Sequence, residues 1–179
     1  MRFLNYVSII VLFLALLLIS CGNDAGDIVI AIESRNFDDA AQLIKNGTPV
    51  NDESLPVQPL EQAVRSSSLE IFELLLEYGA DPEYRFASDQ SPIEFLLSRK
   101  YFRYLEPLLE AGANFDVTWN DDPLAFYLIE MRQVTLVMKM IEFGYNPTVT
   151  DSFSSNLLLQ EISMIDVNPD FIQFLIHDG

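Results

Sequence analysis

Glycine recurs at positions 47, 79, 112 and 144, at intervals of 32, 33 and 32 residues, and again at 179 after a further 35. Each of these glycines closes an apolar run: AAQLIKNG, IFELLLEYG, LEPLLEAG, LVMKMIEFG and FIQFLIHDG. Within the runs the apolar residues fall at helical spacing, as with Ile71, Leu74 and Leu75, or Leu136, Met140 and Ile141, so each predicts a helix with one buried face. A glycine just past the last turn is a helix stop, because the left-handed conformation needed there carries no Cβ penalty for glycine. Short polar turns follow in four copies: Gly47-Thr48-Pro49-Val50, Gly79-Ala80-Asp81-Pro82, Gly112-Ala113-Asn114-Phe115 and Gly144-Tyr145-Asn146-Pro147. Asp, Asn and Pro suit such turns. A unit of this length cannot bury its apolar face alone, but stacked neighbours can, so the period predicts a repeat architecture.

Ahead of each middle helix pair stands a Pro-containing tetrapeptide: Gln58-Pro59-Leu60-Glu61, Ser91-Pro92-Ile93-Glu94 and Asp122-Pro123-Leu124-Ala125. Proline is tolerated at the first helical position, whose N–H has no intrahelical acceptor, and Ser91 and Asp122 are candidate N-caps. Period and tetrapeptide together resemble the ankyrin repeat, whose helix-start motif is Thr-Pro-Leu-His, although no copy here has the His. The resemblance spans residues 27–179 and implies an all-α solenoid of about five helix-turn-helix repeats, with helices near 28–34 and 37–46, 59–66 and 69–78, 92–99 and 102–111, 123–131 and 134–143, and 156–164 and 169–178. The outermost copies lack the Pro, as capping repeats commonly depart from the pattern. Pro107 falls inside the run Phe102–Glu110, where it removes a backbone bond and should distort the start of that helix.

Residues 1–20, MRFLNYVSIIVLFLALLLIS, combine a short positive start at Arg2 with a long apolar run and a small residue before Cys21. This is the layout of a secretory signal peptide. Leu18-Ile19-Ser20-Cys21 resembles the lipobox of bacterial lipoproteins. That resemblance implies lipidation of Cys21, cleavage before it, and a cell-membrane or outer-membrane location facing the periplasm or exterior; Gly22 in the next position favours the outer membrane. The other reading of the same run is an uncleaved membrane-spanning anchor. Residues 21–26 are read as the lipidated cysteine and a short tether.

Lys and Arg number 10 against 27 Asp and Glu, a formal charge of -17. Such a surface repels nucleic-acid phosphates and favours a basic or neutral protein partner, or serves solubility alone. The chain has one Cys and one His, Cys21 and His177, so it has no internal disulfide. It contains no HExxH, GxSxG, CxxC or glycine-rich phosphate loop. His177, near the end of the last helix, suits the helix dipole. Asp38-Asp39 suits a helix start, and the acidic pairs lack the alternating pattern of a calcium loop. No catalytic residue, metal, cofactor or small-molecule substrate is therefore expected.

The expected function is protein binding by a membrane-anchored module, as a scaffold, accessory or immunity-type protein. An enzyme or a structural envelope component without a recognisable motif is the alternative. The ankyrin resemblance implies that the turns after each glycine project as fingers, and that finger tips and first helices line the binding face. Phe86, Trp119 and Phe153 fall on three fingers at intervals of 33 and 34. They are expected either to meet a partner, as interface aromatics do, or to fold back onto neighbouring fingers. On the first helices the corresponding variable positions lie near Glu33, Ser34, Arg65, Ser66, Ser98, Arg99 and Glu130. Arg65 and Arg99 are cations in an acidic chain, suited either to a partner carboxylate or to a neighbouring Glu.

Overall fold

The computed structural model describes residues 24–146, 148 and 168–177. These residues are mostly helical, and the chain divides into two compact units, Met1–Asp81 and Pro82–Gly179. In the first unit α1 (Ala25–Glu33) is followed by α2 (Phe37–Lys45), and α3 (Pro59–Arg65) by α4 (Leu69–Glu77). Each helix packs on its own partner; α1 also packs on α3 and α2 on α4, giving two stacked pairs. The second unit holds α5 (Pro92–Arg99), a 3-10 turn (Phe102–Tyr104) running into α6 (Leu105–Glu110), a small hairpin, α7 (Leu124–Glu130), α8 (Val134–Glu142) and α9 (Pro169–His177). Here α5 packs on α6, and α8 packs on α6, α7 and α9.

Helices of six to nine residues are marginal alone, so the core must hold them, and its residues repeat with the period of the glycines. Ile32, Val64, Leu97 and Ile129 are buried on the first helices, and Ala40, Phe72, Leu105 and Val137 on the second. Both sets advance by 32, 33 and 32 residues.

The helix stops repeat with equal regularity. Gly47, Gly79, Gly112 and Gly144 have φ of 84°, 88°, 89° and 98°. In each case the glycine N–H and the next N–H bond back to the last turn: Gly47 to Ile44 and Thr48 to Leu43, or Gly112 to Leu109 and Ala113 to Leu108. This is the Schellman arrangement. The same pair of bonds closes the first helix of each pair, around residues the sequence did not flag. Arg35, Ser67, Lys100 and Arg132 have φ of 57°, 59°, 56° and 60°. The residue after each of them, Asn36, Ser68, Tyr101 or Gln133, donates into the old helix and occupies the N-cap position of the next helical segment, where Asn36 and Ser68 also cap with their side chains.

Two expectations shift, the start of the first helix and the role of Asp122, while that for Pro107 holds. The first helix begins at Ala25, not near residue 28, because Asp24 caps it and forms a reciprocal capping box with Asp27. A Cβ at Gly26 would stand 2.8 Å from the Asp24 carboxylate, so glycine there leaves room for the cap. Pro107 does distort its helix: the segment opens as the 3-10 turn, and Pro107 then sits in the first turn of α6. Asp122 is not an N-cap. It belongs to a strand, and Pro123 occupies the cap position of α7, whereas Ser91 does cap α5, in a capping box with Glu94. Gln58 caps no helix with its side chain, which instead braces its own loop, accepting from the Asp52 N–H at 3.1 Å and donating to the Asp52 carbonyl at 2.5 Å. The second helix of the last pair lies at Pro169–His177 as expected, while its first, at 156–164, falls outside the described residues.

Candidate functional site

The segment between α6 and α7 forms a hairpin of β1 (Thr118–Trp119) and β2 (Asp122–Pro123), with Trp119 opposite Asp122. Its turn residues, Asn120 and Asp121, have φ of 55° and 72°. Positive φ at both turn positions matches the twist of the flanking strands, and Asn and Asp are among the residues that tolerate it best. The Leu124 N–H bonds to the Val117 carbonyl at 2.9 Å and ties the hairpin to the start of α7. Trp119 is thus carried on a short, defined finger.

Its indole is half-buried and lies against Tyr127 of α7, with ring centroids 6.0 Å apart and tilted by 49°. Tyr127 in turn meets Phe102 at 6.4 Å. All three rings are half-buried, so Phe102, Tyr127 and Trp119 form a continuous aromatic row, partly covered and partly open. Asp121 at the finger tip and Glu130, one turn beyond Tyr127 on α7, are exposed. Residues three apart on a helix share a face, so Glu130 flanks Tyr127. Tyr127 carries no sequence motif; its signal is only its position on the first helix of a pair, behind a finger bearing Trp.

The other expected contact residues fare differently. Phe86 is 3% exposed and packs edge-on against Phe95 at 5.2 Å, so it is a core residue and not part of an open ridge. Its finger is longer. The Phe86 N–H bonds to the Gln90 carbonyl and closes a five-residue loop, the Asp89 N–H bonds back to Phe86, and Arg85 reaches the Asp89 carbonyl. That closure turns the ring inward beneath α5. Phe153 lies outside the described residues. Arg65 is paired with Glu61, its Nη2 2.5 Å from a carboxylate oxygen that is fully buried, while the Arg side chain stays 47% exposed. The neutralising role therefore accounts for Arg65. The Arg99 guanidinium lies over the Phe95 ring at 5.1 Å and is exposed. Cys21 and the side chain of His177 lie outside what the structure describes.

Successive loops are also tied to one another, which sequence reasoning missed. The Asn51 amide donates to the Gly79 carbonyl at 2.9 Å and accepts from the Asp81 N–H at 3.0 Å. Glu83 accepts from the Asn114 N–H at 2.8 Å. Asn51 and Glu83 each stand four residues after a repeat glycine, and that shared offset is the signal that was available.

Among the described residues three ionisable groups are perturbed. Hydrogen bonds from the Ser54 hydroxyl and N–H hold the Asp52 carboxyl below its ordinary range. Lys139 binds Glu106 and, at 3.0 Å, Glu110, and these bonds raise its pKa. Burial, helped by the Asp116 charge, pushes the Tyr145 phenol up to about 12. None of the three lies in the aromatic row. A concavity of about 260 Å³ beside the Gly112 and Gly144 loops is lined by Asn114, Asp116, Phe143 and Tyr145. Another of about 430 Å³ lies over Ile30 and Leu43. Among the described residues no three His, Cys, Asp or Glu side chains are grouped to hold a metal ion, and no helix is long and apolar enough to cross a membrane.

The chain matches no protein-family model, and no curated protein matches it.

Proposed function

We propose that the chain is an extracytoplasmic, lipid-anchored, ankyrin-type solenoid of about five repeats that acts by binding another protein and not by catalysis. The observation that carries the reading is the aromatic row of Phe102, Tyr127 and Trp119, the last on the finger between α6 and α7, with exposed Asp121 and Glu130 near it in the chain. Aromatics of this kind supply much of the energy of protein interfaces, and an acidic surface steers a basic or neutral partner. The repeat reading draws support from the coincidence of glycine stops, left-handed turns and core positions on one period of 32–33 residues. Arg99, exposed over the Phe95 ring, is assigned as a secondary contact; Arg65 and Phe86 are assigned to packing.

The anchor reading rests on Leu18-Ile19-Ser20-Cys21 after an apolar run. Cys21 stands only three residues before the Asp24 cap, so at full extension it is within about 11 Å of the first helix. Two or more acyl chains on one cysteine would hold the protein stably at a bilayer, with its repeats close to the surface. Fold alone does not choose between scaffold, accessory and immunity-type roles.

Two measurements test the reading. Fatty-acid labelling of cells expressing the chain should mark the wild type and not Cys21→Ser. Capture from detergent-solubilised envelope with the tagged chain should enrich a protein that Trp119→Ala fails to enrich. Absence of label removes the anchor, and equal capture by both forms removes the aromatic row as the binding site.

A further inference from the structure

Trp119 and Tyr127 present two tilted rings 6.0 Å apart, each half-buried and so each with part of its surface open to solvent. Among the described residues the cation–ring contacts are Arg99 over Phe95 and Arg103 over Tyr104, and none of those residues places a cation on the face of Trp119 or Tyr127. Two exposed carboxylates stand close to the pair along the chain, Asp121 in the turn two residues after Trp119 and Glu130 three residues after Tyr127 on α7. Cations are scarce in this chain and acids abundant, 10 against 27. An open aromatic face attracts a cation through its quadrupole, tryptophan most strongly. A carboxylate nearby adds a charge-assisted hydrogen bond to the same group.

We infer that the Trp119–Tyr127 pair is the receiving position for an arginine or lysine side chain of a protein partner, with Asp121 and Glu130 as its counter-charges. The inference rests on the binding-module reading and names the chemistry of what binds. An apolar anchor from a partner would be served by the rings but not by two nearby carboxylates. A planar guanidinium satisfies both, stacking on the indole while its N–H groups face the acids. The finger suits this use because its two-residue turn fixes the position of the indole before binding, so little freedom is lost on association.

Trp119 is the chain's one tryptophan, so its fluorescence reports on this position directly. The test titrates the purified full chain with a short Gly-Ser peptide carrying paired arginines. In parallel it uses the same peptide with citrulline, which keeps the shape and loses the charge. The expected result is a saturable change in emission with the arginine peptide and binding weaker by about fivefold or more with citrulline. Asp121→Asn with Glu130→Gln should weaken the arginine peptide to a similar degree. Both changes are conservative, and Asn suits the left-handed turn position. Neutralising two exposed carboxylates on α4, Glu70→Gln with Glu73→Gln, should change it little.

Equal binding of the citrulline peptide would overturn the inference. So would an equal loss from the α4 changes, which would mean that only the overall negative field attracts the peptide. An unmoved emission with either peptide would overturn it too. That last outcome leaves the capture experiment with Trp119→Ala to judge the binding-module reading by itself.

Discussion

The backbone N–H of Asn114 donates to the carboxylate of Glu83 at 2.8 Å, so the loop after Gly79 holds the loop after Gly112. In the first unit the Asn51 amide makes the corresponding bond to the N–H of Asp81 at 3.0 Å. The sheet-like job of joining neighbouring loops is done here by single side chains at one offset. Glu83→Ala should therefore destabilise the protein by about 1 kcal/mol, less than is usual for a charged acceptor because the bond is exposed. Glu83→Gln keeps an acceptor and should recover most of the loss. Urea unfolding of the three proteins checks this, and equal midpoints would contradict it.

The left-handed turns give an opposed pair of substitutions. A Cβ added at Gly112 would meet nothing within 4 Å, so only its φ of 89° resists a side chain. Gly112→Ala should cost about 1 kcal/mol from backbone strain alone. Lys100 already bears that strain at φ 56°, and Lys100→Gly should stabilise by up to about 1 kcal/mol. Thermal melting of both variants should show shifts of opposite sign.

Tyr145 provides a pH dependence. Its hydroxyl is buried, with at best a weak approach from the Ala125 N–H and no well-formed hydrogen bond among the described residues, and burial raises its pKa from 10.0 to about 12. Between those values the unfolded chain has lost the phenolic proton and the folded chain keeps it. Stability is thus fully present below pH 10 and declines as pH rises toward 12, by on the order of 2 kcal/mol in total. Tyr145→Phe should abolish this part of the alkaline decline. Near neutral pH it should be neutral or up to about 1 kcal/mol more stable, since it removes a poorly satisfied buried hydroxyl. Unfolding midpoints measured from pH 8 to 12 decide the point; an unchanged alkaline slope in the variant would contradict it.

The sequence carried the helix pairs because glycine stops and apolar spacing act within a few residues of themselves. Pro107 was equally local, and its 3-10 turn followed. What the sequence did not yield depends on distance along the chain. Arg35, Ser67, Lys100 and Arg132 adopt the left-handed turn although nothing in their side chains asks for it; the packing of both helices imposes it. Phe86 and Trp119 look equivalent when counted against each other, 33 residues apart. Counted against the next helix they are not: Phe86 stands six residues before Pro92 and Trp119 four before Pro123. The longer finger buries its ring and the shorter one leaves its ring half-exposed. Asp122 failed as a cap for the same reason, because the tight turn drew it into a strand opposite Trp119.

The most direct test of the binding account is the affinity of the captured partner for Trp119→Ala, measured beside the thermal stability of the same variant. As an interface hot spot, Trp119 should cost ~2 kcal/mol or more of binding when truncated. The melting temperature should fall by much less, because α7 and α8 keep their packing on each other and α8 keeps its packing on α6 and α9. Unchanged affinity with a collapsed melting temperature would make Trp119 a packing residue and contradict the account.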